Sequence, residues 1–134
     1  MKTNLIAYIA ALIPMLVLDI IWLSVMVKTF YVKHIGDLMS SKPNLWPAVI
    51  FYILYIFGVL FFVVLPAIKG EFSLGKVFLI GAFLGMLTYM TYDLTNQATL
   101  KNWSTIVTVV DILWGAFITG LAATISVWFT RMFM

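Results

Sequence analysis

Four apolar runs, roughly 4–27, 47–68, 74–95 and 103–130, take up most of this 134-residue chain. A hydrocarbon layer is crossed by about 20 apolar residues in helical form. Backbone polar groups inside lipid must be satisfied within the segment, so runs of this length read as helices. The expectation is an all-α, polytopic membrane protein. A single four-helix transmembrane domain would span 1–134, with a short interfacial segment between the first and second spans. The composition agrees, at 64% hydrophobic and 10% charged. The first run begins after Lys2 as a signal peptide would, but no small-x-small cleavage pattern follows. Asp19 and Trp22 interrupt its far half, and it reads as a retained span.

Cysteine is absent, which excludes disulfides, thiolate nucleophiles and Cys-ligated metals. The one histidine, His34, lies in a connection, so a bis-His haem within one chain is excluded. No cofactor is evident, and a net charge of +3 gives no sign of a nucleic-acid partner.

The connection from Lys28 to Trp46 places Tyr31, Ile35, Leu38 and Met39 at near-helical spacing. A short helix on the membrane surface and an irregular loop both fit it. Pro47 suits the first turn of the second span. Lys2, Lys69, Lys76 and Arg131 fall on one side, and Lys28, Lys33, Lys42 and Lys101 on the other. That tie leaves orientation open. It is compatible with a weak topology signal, and also with dual topology and an antiparallel homodimer.

Three of the five acidic residues, Asp19, Asp93 and Asp111, sit inside or at the ends of the apolar runs. A carboxylate in the bilayer core costs several kcal/mol unless it is protonated, paired or wetted, so such residues mark a pathway or a binding site. Helical rise places Asp19 roughly 13 Å, and Asp111 roughly 12 Å, below the same membrane face. Asp93, Tyr52 and Tyr55 approach from that side. Gly81, Gly85, Tyr89, Tyr92 and Asn96 form one helical stripe on the third span, with Asp93 beside it. Gly81 and Gly85, as G-x-x-x-G, read as a packing face. Asp19-Ile-Ile-Trp22 and Asp111-Ile-Leu-Trp114 repeat one arrangement on spans of opposite direction. Pro14 removes one backbone bond and leaves the Ala10 carbonyl free.

The candidate site is therefore Asp19, Trp22, Tyr52, Tyr55, Tyr89, Tyr92, Asp93, Asn96, Asp111 and Trp114. Carboxylates in low dielectric favour the neutral form until a cation enters, and the faces of Trp22, Trp114, Tyr55 and Tyr89 can hold a soft organic cation. That chemistry suits a proton-coupled carrier of a cation or cationic organic solute, with Asp19 and Asp111 as the proton and cation sites. A structural alternative has Asp19 and Asp111 bonding to tyrosine hydroxyls or to the Trp22 and Trp114 ring nitrogens, fixing helix register.

The motifs Asp19-x-x-Trp22, Phe51-Tyr52-x-x-Tyr55 with Gly58, Pro66, Gly81 and Gly85, Tyr89-x-x-Tyr92-Asp93-x-x-Asn96, Trp103, and Asp111-x-x-Trp114-Gly115 resemble the bacterial membrane proteins grouped as domain-of-unknown-function family 2177. The resemblance covers nearly the whole chain and implies a multi-pass, four-span protein of the bacterial inner membrane. It brings no activity with it. Two other readings stand beside the carrier. One is an intramembrane enzyme acting on lipid or isoprenoid, although no Asp-rich D-x-x-x-D motif appears. The other is an assembly protein holding a lipophilic ligand. The balance of residues favours a binding protein over an enzyme.

Overall fold

The computed structural model describes all residues, 1–134. It contains four long apolar helices and no strand: α1 (Lys2–Leu38), α2 (Trp46–Lys69), α3 (Leu74–Thr99) and α4 (Thr105–Met132). The local signals at the helix starts work as their chemistry requires. Pro47 lies in the first turn of α2. Ser73 and Ser104 cap α3 and α4, accepting from the backbone N–H of Lys76 at 3.2 Å and of Val107 at 3.4 Å. Asn102 takes φ 62° in the α3–α4 turn, a left-handed conformation that asparagine tolerates well.

The first connection is where the structure departs from expectation. Instead of ending near Lys28, α1 continues through a π turn at Val27–Tyr31 and further helix to Leu38. No proline or glycine interrupts Val27–Ile35, so nothing stops the helix at the membrane face. At 37 residues α1 is roughly 55 Å long, well beyond a hydrocarbon core of about 30 Å. A second π turn, Leu60–Val64, precedes Pro66 in α2. The wide turn takes up the place where proline can donate no bond, and the helix runs on to Lys69.

Small side chains, alanine above all, make up much of the seam between α1 and α4. Ala7, Ala11, Met15 and Asp19 form one buried stripe of α1. Opposite them stand Ile118, Ala122, Ser126 and Val127 of α4, and the Ser126 hydroxyl donates to the Ala7 carbonyl at 2.7 Å. Large apolar residues such as Phe61, Phe62, Leu79 and Leu113 point outward, as lipid contact requires. The glycine pair serves packing. A Cβ on Gly81 would lie 3.0 Å from the Gly120 Cα, and one on Gly85 would strike Gly115 and Thr119 of α4. At the far end, Arg131 donates to the carbonyls of Ala67 (3.2 Å) and Phe72 (2.7 Å), tying the end of α4 to the α2–α3 turn.

Candidate functional site

Asp19 continues the core stripe of α1, so its carboxyl group points at α2 and α4 and not at lipid. It accepts hydrogen bonds from the Tyr52 hydroxyl of α2 and from the Trp114 ring N–H of α4, the latter at 2.9 Å. Asp111 lies on the matching stripe of α4 and accepts from the Tyr31 hydroxyl. Tyr31 in turn accepts from the Trp22 ring N–H at 3.0 Å. The two indoles, Trp22 and Trp114, stack with centroids 4.2 Å apart and planes 9° apart. The inverted Asp-x-x-Trp motifs of α1 and α4 thus interlock. Each carboxyl group is reached by the tryptophan of the opposite helix, directly for Asp19 and through Tyr31 for Asp111.

Asp93 is different. It has no exposed surface, and neither of its oxygens receives a hydrogen bond. The Asp111 carboxyl lies against it, and the two can bond only by sharing a proton. The donors that do reach this cluster are neutral hydroxyls and indoles. Asp19, Asp93 and Asp111 do not converge as a three-ligand metal set.

The other candidate residues divide. The Tyr55 hydroxyl lies between those of Thr88 (3.0 Å) and Thr119 (2.7 Å), and its ring stacks on Phe51 at 4.9 Å. Tyr89 packs its ring on Gly115, where any Cβ would collide with it. Its hydroxyl makes no hydrogen bond within the protein and feels the nearby Asp19 and Asp111. Tyr92 is 57% exposed and stands edge-on to Trp103. Tyr92 and Asn96 therefore border the cluster without joining its hydrogen bonds.

Sequence reasoning missed Tyr31, Thr88 and Thr119. Tyr31 falls at helical spacing with Ile35 and Leu38 in the first connection, but nothing in that spacing points it at the acids. Nine residues at about 100° each put it half a turn from Trp22 on a regular helix. The π turn between them changes that phase and brings the two side chains together. The threonines are legible as polar positions on the stripes of α3 and α4, but only the packing shows that Tyr55 binds both.

The chain belongs to the family described as predicted membrane protein (DUF2177), which it matches over residues 4–128. No curated protein and no solved structure matches it.

Proposed function

We propose that the protein is a proton-coupled carrier of a cation or cationic organic solute in the bacterial inner membrane, with Asp93 and Asp111 as the exchange site. The observation that supports this reading is the state of Asp93: fully buried, without a donor, and against a second carboxyl group. Two carboxyl groups out of water, with no fixed cation beside them, need a positive charge from elsewhere. A proton serves in the empty protein, and a cation displaces it. Competition of the two for one pair is what couples their movements. Asp19 has its donors supplied by Tyr52 and Trp114, which suits it to orienting α2 and α4 around the pair.

The test is proton release from weakly buffered, purified protein on adding metal ions and lipophilic cations. Wild type should release protons to at least one cation of the panel. Asp93→Asn and Asp111→Asn should release none while keeping their helical content. Silence across the whole panel, or release unchanged in both variants, would overturn the carrier reading.

A further inference from the structure

Helix α2 packs mainly on α1 and α4, and it meets α3 chiefly beside the Leu60–Val64 turn. Toward the face that carries the acids a gap lies between them, bridged by the Tyr55–Thr88 hydrogen bond at 3.0 Å. Two adjoining cavities lie along the gap, of about 340 and about 300 Å³, and both are lined by Phe51 and Thr88. The inner one is apolar, with Leu54, Phe62 and Leu84 on its walls. The outer one ends on Tyr89 and Tyr92. The crevice thus grades from hydrocarbon-like to aromatic and polar along its length, and it opens to the lipid side. Gly58 lines the inner part, and a Cβ built there would touch nothing. That glycine leaves open a space its own helix does not fill.

Tyr89 is the wall shared by the crevice and the acid cluster. One side of it lines the outer cavity, its ring rests on Gly115, and Asp19 and Asp111 lie close by. Its unbonded hydroxyl leaves it free to turn without breaking an internal hydrogen bond. Asp111 is itself buried, with the Tyr31 hydroxyl of the α1 extension bonded to it.

We infer that the Asp93–Asp111 pair is loaded from within the bilayer, through the α2–α3 crevice, by an amphiphilic ammonium ion whose hydrocarbon chain lies along that crevice. The inference rests on the carrier reading above. The chemistry selects this class. The inner walls want a chain, the tyrosine faces and the two carboxyl groups want a single diffuse positive charge, and an anionic head group would be repelled. A small metal ion would make no use of the apolar length.

The experiment uses the full chain in phosphatidylcholine nanodiscs and reads proton release on adding tetramethylammonium or dodecyltrimethylammonium. Wild type should respond to the dodecyl ion at a concentration at least roughly tenfold lower, the effect expected from burying a few methylenes. Part of that gain comes from partition into the bilayer, which is identical for every variant. Gly58→Leu adds a side chain at the inner part of the crevice, where a Cβ meets no neighbour, and should reduce the dodecyl-to-tetramethyl preference several-fold relative to wild type. Asp93→Asn should abolish the response to both ions. A preference unchanged in Gly58→Leu would overturn lateral loading and leave the carrier standing. No release with either ion in wild type would overturn both.

Discussion

Asp19 accepts two hydrogen bonds and Asp93 accepts none, so similar substitutions have opposite consequences at the two positions. Asp19→Ala strands the Tyr52 hydroxyl and the Trp114 indole, and should lower stability by about 1–3 kcal/mol. Asp93→Asn removes a buried, donorless carboxyl group, and should leave stability unchanged or raise it. Reversible unfolding in mixed micelles measures both. Equal destabilisation of the two variants would show that Asp93 is held by a structural partner. The residues themselves were legible, because a carboxyl group in an apolar run is conspicuous and its register places it on a helical face. Tyrosine hydroxyls and tryptophan ring nitrogens were legible as the kind of partner, but which of them meets which acid was not. Asp19 reaches Tyr52 and Trp114 across three helices, and no spacing within one helix encodes that meeting.

At the scale of elements, the two π turns matter most. The turn at Val27–Tyr31 turns a residue from the wrong face toward Asp111, and the connection after Lys28, left open between a surface helix and a loop, is helix continuous with α1 as far as Leu38. Its near-helical spacing was visible in the sequence, but the phase change was not, since periodicity is counted at a constant pitch. Tyr31→Phe deletes the bond that ties this extension to α4 while keeping the ring. Amide exchange over residues 27–38 should then rise by roughly tenfold, the effect of one buried hydrogen bond, with the rest of the chain unchanged. No change in that segment would mean that packing alone holds it. Between α3 and α4 the fit is tighter. Gly115→Ala drives a methyl group into the Tyr89 ring, and should cost about 1–3 kcal/mol and displace Tyr89 from its seat. Comparison of its unfolding free energy with that of wild type checks this.

The whole molecule keeps small side chains inside and large ones outside, the arrangement expected where lipid takes the place of water. The four-span architecture could be read from hydropathy alone, but the gap between α2 and α3 could not, because hydropathy reports how apolar each span is and not how two spans stand to one another. Away from the acid cluster, size therefore decides which substitutions the fold resists. Ala122→Leu, at a fully buried contact, should destabilise the bundle by about 1–3 kcal/mol, whereas Phe61→Leu, 70% exposed, should change it by less than about 0.5 kcal/mol. Thermal unfolding in one lipid composition checks the pair, and equal losses would mean that Phe61 is covered in the membrane. The stacked indoles of Trp22 and Trp114 join the first helix to the last. Of five tryptophans only these two stack, so their transitions couple as an exciton pair. The protein thereby carries an optical gauge of the separation between its first and last helices, readable without a label by circular dichroism of the purified protein in lipid.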